Sequence, residues 1–293
     1  RRLRWVADGT EVVIGPPVIP ECIPPKFAPT YIMGAVSKRF HIFLSHVWGT
    51  GQDQMRIVKQ RLLEMLPDVI PFLDVDDLAE GKGAEYVDAS SVTLIFVSEG
   101  YFNSENCMRE LLRAVVTGKP IVTLMESEVK KGGMTKESVL QQLGEAAAPV
   151  EKNGKTYPSK YAMWPLDKEM KSWGYEMPSA AVLHAALFDK EAIEWNRIGF
   201  FQDVSVRLIA KSLLPAGRKE GTYLQGELTQ LQPTLPSPRG GRSFHTYCSP
   251  HNVGASALMQ EVKSHLKLSI EITDDVGQLH ACERMLVYLT GRT

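Results

Sequence analysis

Val92-Thr93-Leu94-Ile95-Phe96-Val97 is the stretch on which the fold turns. Nearly every residue is β-branched or apolar and there is no polar alternation, the pattern of a strand covered on both faces. Working outward, Phe40–Ser45 (FHIFLS), residues 69–73, residues 120–125 and residues 192–195 are four more short apolar runs. After the first of these, Met55, Val58, Leu62 and Leu66 recur at helical period on one face, and Pro67-Asp68 stops the helix. A helix is expected over 106–116. An amphipathic one over 200–214 closes the domain, with Phe201, Val204 and Leu208 near one stripe. Strands of this length alternating with helices specify a flavodoxin-like, doubly wound parallel sheet of five strands with right-handed crossovers.

The 293 residues are 44% hydrophobic and 23% charged, enough for a real core and sized for about two compact units. Lys plus Arg is 33 and Asp plus Glu is 34, a net charge of -1 that supplies no long-range field for nucleic acid. No aromatic-basic sheet motif for RNA is present either. Cys22, Cys107, Cys248 and Cys282 are too few and scattered for a disulfide scaffold and show no zinc spacing, so a reduced, cytoplasmic setting is expected. No apolar run reaches the roughly 18 residues of a spanning helix, and no signal peptide is visible. The chain opens on Arg1-Arg2-Leu3-Arg4 and stops at Thr293 just after Met285-Leu286-Val287-Tyr288-Leu289. It reads as part of a longer protein, whose other segments are open.

Residues 1–37 form a lead-in with prolines at 16, 17, 20, 24, 25 and 29, a density that blocks helix interiors and central strands. Val12-Val13-Ile14 is its one candidate edge strand; the rest is read as linker. The α/β domain then runs over 38–214, interrupted at about 127–178 by a long insertion with a helical run at 137–145. Tyr157, Tyr161, Trp164, Trp173 and Tyr175 favour its being ordered and packed on the body. Residues 215–242 are a Gly/Pro/Ser linker. From 243 to 293 the chain repeats itself: Phe40, His41, Ser45, Met55, Val58, Lys59 and Leu62 align with Phe244, His245, Ser249, Met259, Val262, Lys263 and Leu266. A strand, a helix, a strand at 269–273 and a strand from 285 follow in the same order, as a partial duplication would give.

Four segments of the first domain resemble the TIR (Toll/interleukin-1 receptor-like) family. Phe43-Leu44-Ser45-His46 is similar to its opening strand motif, FLSF or FISY. Phe72-Leu73-Asp74 with Asp76-Asp77-Leu78-Ala79-Glu80-Gly81 resembles the second strand and the acidic BB loop. Val97-Ser98-Glu99-Gly100-Tyr101-Phe102 resembles the S-x-x-Y/F strand end, and Cys107-Met108-Arg109-Glu110-Leu111 the C-x-x-E-L helix opening. Trp195-Asn196 and Phe200-Phe201 answer a late aromatic element. Asn106 stands where plant members carry tryptophan. His46-Val47-Trp48-Gly49 and Gln52-Asp53 replace the arginine and the glycine-acidic pair after the first strand. The second copy has Pro250 after Ser249 and no C-x-x-E, which argues against catalysis there.

The resemblance implies one of two functions. Some TIR domains, in plants, bacteria and one animal axonal protein, cleave NAD⁺ at the nicotinamide-ribose bond; others are scaffolds acting through TIR–TIR contact. In the cleaving members the glutamate of C-x-x-E is required, which is Glu110 here. The chemistry suits one carboxylate. Nicotinamide leaves as a neutral molecule, positive charge develops on the ribose, and a fixed anion stabilises it. Glu110 is expected in the first turn of the helix after Ser104, at the carboxyl ends of the strands, where such sheets place their crevices and a helix N-terminus favours an anion. A glutamate there is also, simply, a capping residue. Ser45, His46, Trp48 and Gly49 follow the first strand as candidate NAD⁺-binding residues, Trp48 for stacking on a base and the glycines of Gly49-Thr50-Gly51 for close backbone approach. Each equally suits a core role. Ser45 and His46 are strand neighbours on opposite faces, so they make no nucleophile–base relay. Asp74, Asp76, Asp77 and Glu80 lack calcium-loop spacing; by resemblance they gate the pocket and mediate self-association. NAD⁺ is expected as substrate, no metal and no permanently bound cofactor are expected, and the expected partners are other TIR domains or a second copy.

Overall fold

The computed structural model describes residues 2–26, 38–73, 83–214, 221–225, 235, 237–266 and 269–289. The chain divides into two compact units, residues 1–222 and 223–293.

The first unit is built on five strands: β1 (Phe40–Ser45), β2 (Pro71–Phe72), β3 (Ser90–Val97), β4 (Ile121–Glu126) and β5 (Ile193–Trp195). Their order across the sheet is β2-β1-β3-β4-β5 and every pairing is parallel. This is the doubly wound, flavodoxin-like arrangement, in which the chain reverses direction beside β1. The run that decided the fold lies at its centre: Ile42 pairs with Val92 on one side of β3, and Leu94 with Val122 on the other. All but Ser91 of its eight residues are buried.

Helix α1 (Trp48–Met65) buries Met55, Val58 and Leu62, the face read from their spacing. It starts seven residues before Met55, because Gly49 to Gln54 continue the helix without an apolar period to announce it. Helix α2 (Gly83–Asp88) follows β2, and an aromatic stack fastens it to the sheet edge: Phe43 lies on Phe72 at 5.0 Å and Phe72 on Tyr86 at 4.2 Å. Helix α3 (Glu105–Val116) is capped by Ser104, whose hydroxyl accepts from the Cys107 backbone N–H. Helix α3 buries Cys107, Met108, Leu111 and Leu112.

The insertion is more regular than its composition suggests. It holds α4 (Lys136–Ala147), a two-stranded antiparallel hairpin (Val150–Lys152 with Lys155–Tyr157), α5 (Lys160–Met163) and α6 (Leu166–Ser172), and α7 (Ala180–Phe188) follows it before β5. Tyr161, Leu166, Met170, Trp173, Leu183 and Leu187 share one core with Leu111 and Leu112 of α3. Arg109 donates to Glu169 at 2.7 Å, and the Arg113 guanidinium lies 4.9 Å from the Trp173 ring centroid. The insertion therefore grips α3.

Helix α8 (Gly199–Ser212) corrects one expectation. Phe201, Val204 and Leu208 are about half exposed, and the buried face runs instead through Gln202, Ser205, Val206, Ile209 and Ala210. Two polar residues turn inward because backbone oxygens satisfy them: Gln202 donates to the Arg197 carbonyl and Ser205 to that of Glu194. The lead-in also differs. The strand there is Leu3–Trp5 rather than Val12-Val13-Ile14, and Val12 N–H donates back to the Leu3 carbonyl. The backbone N–H groups of Ile14 and Gly15 donate to Asp68, and Ile23 N–H to the Thr117 carbonyl, so described parts of this segment are tied to the domain.

The second unit has a three-stranded parallel sheet, β6 (Phe244–Cys248) between β7 (Ile272–Thr273) and β8 (Cys282–Leu286), with α9 (Ala255–Leu266) after β6. The order second-first-third matches β2-β1-β3. The register matches as well: Phe40 faces Ser90 as Phe244 faces Cys282, and Ile42 faces Pro71 as Thr246 faces Ile272. One side-chain bond is also repeated. His41 Nδ1 accepts from Ile70 N–H at 2.9 Å, and His245 Nδ1 from Glu271 N–H at 3.0 Å.

Candidate functional site

Glu110 lies in the second turn of α3, not the first, so it does not cap the helix; Ser104 does that, and Glu105 is the first-turn acid. Its position turns the side chain inward, leaving the residue 8% exposed. Among the described residues, three elements line it. Ser45, the last residue of β1, donates to Glu110 Oε2 at 2.5 Å. Tyr101, in the turn after β3, places its hydroxyl 2.7 Å from Ser45 Oγ and 3.3 Å from the Cys107 carbonyl, to which it donates. At the start of α2, Gly83 leaves room beside Oε1: a Cβ built there would stand 3.2 Å from that oxygen. Cys107 closes the group, its thiol donating to the His46 carbonyl at 3.3 Å. Burial drives the Tyr101 hydroxyl well above its usual range, with the neighbouring Cys107 and Glu110 adding to it and the Ser45 hydrogen bond opposing. Tyr101 is therefore a phenol and a donor at every physiological pH.

The other candidates separate. Ser45 is fully buried and bonded to Glu110, where it faces no solvent. His46 is buried too, with Nδ1 3.1 Å from the Leu44 carbonyl. Trp48 is 63% exposed at the first turn of α1. Gly49 has open space around the place of a Cβ, whereas Gly51 does not: a Cβ there would meet His46 Cβ at 2.9 Å and a Phe96 ring carbon at 3.0 Å. The tight glycine of this first turn of α1 is thus Gly51, needed for helix-to-sheet packing. Thr50 anchors the start of α1 by hydrogen-bonding Ser98 at 2.8 Å and donating to the Glu99 carbonyl. Asp74, Asp76, Asp77 and Glu80 lie outside the described residues.

Below Glu110, Asp88 holds Arg113 through two bonds of 2.8 and 2.6 Å, and Lys119 donates to the carbonyls of Asp88 and Ser90. Burial lowers the Lys119 pKa, and Arg113 adds to that, while Cys22 and Asp88 oppose. Sequence reasoning attached no chemistry to Asp88; its partner lies 25 residues away on another helix. Tyr101 was quoted only as part of a strand-end motif, and no local pattern joins it to Ser45.

Among the described residues no group of three His, Cys, Asp or Glu is placed to hold a metal ion, and no helix is long and apolar enough to cross a membrane. A cleft of about 640 Å³ opens away from Glu110, at the amino ends of β4 and β5, lined among others by Ile121, Thr123, Lys190, Ile193 and Leu208. None of the motif residues lines this cleft.

No family model matches the chain, and no curated protein does. Among solved structures it is similar to the TIR domains of the activated Roq1 resistosome directly recognizing the pathogen effector XopQ. The likeness is 13% identical, covers 60% of this chain and 99% of that one, and has a TM-score of 0.38. At that identity and score it carries nothing about the chemistry of the site.

Proposed function

We propose that residues 38–214 are a TIR-type signalling domain that hydrolyses NAD⁺ to nicotinamide and ADP-ribose, linear or cyclic, when the domain self-associates. The observation that carries this reading is Glu110, a carboxylate on α3 tethered to the carboxyl end of β1, the strand at which the doubly wound sheet reverses. Ligands of such sheets bind outside the carboxyl ends of the strands at that reversal. The four motif segments support the same reading: three of them, at the end of β1, after β3 and at the start of α3, converge on this one carboxylate. In the reaction Glu110 is the fixed anion facing the ribose as positive charge develops and neutral nicotinamide departs. Water or a ribose hydroxyl then takes the vacated carbon and loses its proton to solvent. Trp48, exposed at the first turn of α1 just after the same strand, is the proposed stacking surface for a base.

A second reading is a scaffold that signals by TIR–TIR contact without turnover. It draws on the burial of Glu110, since a carboxylate bonded inside the domain also serves as a structural group. Glu110→Gln separates the two, because it keeps the shape and removes the charge. Incubating the full chain with NAD⁺ at low and high protein concentration, we expect nicotinamide release to rise more steeply than protein concentration. We expect a fall of at least about a hundredfold in Glu110→Gln with an unchanged circular dichroism spectrum. Equal turnover in the variant removes Glu110 from the chemistry; none in either protein, even when clustered, leaves the scaffold.

A further inference from the structure

Ser45 was a candidate to touch a ligand, but its place in the structure gives it a different role. It is 1% exposed and Tyr101 is 0% exposed, so neither meets a substrate. Both hydroxyls are spent inside the domain, and the direction of their protons can be worked out. An ionised carboxylate only accepts, so the single Ser45 proton goes to Glu110 Oε2. Ser45 Oγ is then left with lone pairs toward Tyr101, whose proton is shared between Ser45 at 2.7 Å and the Cys107 carbonyl at 3.3 Å. A phenol that stays protonated cannot reverse the chain.

We propose that Tyr101 and Ser45 are positioning residues for Glu110, a one-way chain of two hydroxyls that aims the carboxylate and holds it ionised. The proposal rests on the reading of Glu110 as the carboxylate of the reaction. Two consequences follow from the direction of the bonds. A donor aimed at Oε2 fixes the rotation of the carboxylate and directs Oε1 toward the space kept by Gly83. A hydrogen bond to the charged form also favours that form, extending activity to lower pH. Among the described residues, the titratable groups near the carboxylate include Tyr101 and Cys107, with Arg113 one turn further along α3, held by Asp88.

The test uses the full chain with Ser45→Ala, Ser45→Thr and Tyr101→Phe. Two readouts are taken: the pH profile of nicotinamide release from NAD⁺, and the ¹³C titration of the Glu110 carboxyl carbon, assigned with Glu110→Gln. Removing one hydrogen bond to a charged group in Ser45→Ala should lower kcat about tenfold with KM little changed. It should also move the acid limb of the profile, and the carboxyl titration with it, to higher pH. Ser45→Thr, which keeps a hydroxyl, should restore both. Tyr101→Phe should move them the same way by less, because Ser45 still donates.

The two readouts separate this proposal from the one beneath it. A carboxyl titration that moves in Ser45→Ala while the wild type cleaves no NAD⁺ upholds the hydroxyl chain and removes the enzyme. A carboxyl titration in Ser45→Ala equal to the wild type overturns the chain, whatever the turnover. If Ser45→Ala does not fold, Tyr101→Phe decides: titration equal to the wild type overturns the proposal.

Discussion

Asp88 shows how much one residue can hold without touching the chemistry. Its carboxylate forks onto Arg113, and both side chains are almost fully buried, with the Lys119 ammonium bonded to the carbonyl of Asp88 itself. Removing one member leaves charge without a partner in a place water does not reach. Asp88→Asn should therefore cost about 3–5 kcal/mol, and Arg113→Met a similar amount. Replacing both together, as Asp88→Asn with Arg113→Met, should cost clearly less than the two singly summed, since no orphan charge remains on that pair. Urea titration of the four proteins closes the cycle, and strict additivity would show that the pair is not coupled. At this scale the site was half legible. Glu110 stands in a motif that fixes its neighbours along the chain, so its importance could be read from residues 107–111. The bonds that aim it join β1 to a turn 56 residues later, and spacing along a chain does not record which side chains meet across a fold.

Among the elements, β1 and β2 are joined by more than their ladder. His41 accepts Ile70 N–H at Nδ1 and so carries its proton on Nε2, which donates to the Gly15 carbonyl at 2.7 Å. Burial lowers the His41 pKa below its usual 6.5, against the opposing pull of the Gly15 carbonyl and Asp68. A histidine whose folded pKa is depressed stabilises the fold fully above its unfolded value. That contribution is lost as pH falls from 6.5 through the folded value. The wild type should thus lose more stability than His41→Asn between pH 7 and pH 5, measured as urea midpoints. Parallel curves would show that His41 does not titrate with folding. Elements were legible wherever period and covering agreed, as in β3 and α1. In α8 they disagreed. The spacing of Phe201, Val204 and Leu208 marks a stripe, but nothing in it says which side meets the sheet, and the polar pair Gln202 and Ser205 takes the buried side through backbone bonds. Helix α7 escaped notice because its residues, AAVLHAALF, are apolar nearly all round and show no period.

For the whole molecule, the seven matched residues are accompanied by a strand order, a register and a histidine bond that the two units share. Each unit has a sheet of its own, and the two are expected to melt separately. Calorimetry of the full chain should show two transitions. His41→Ala should move the larger one only and His245→Ala the smaller one only; a single transition shifted by both variants would show one cooperative body.

The insertion that grips α3 also changes how the sheet can be completed. Leu124 of β4 pairs with Ile193 of β5, so the last ladder must close a loop of dozens of residues, and the entropy of such closure rises with loop length. Once α4 to α7 have packed on α3, however, Thr123 of β4 donates to the Leu187 carbonyl at the end of α7. The gap left to search is then only the few residues between Phe188 and Ile193. A segment that looks like an interruption of the domain thus serves as its splint, a bond at Leu187 holding the chain beside β4 a few residues short of the place where the final strand pairs.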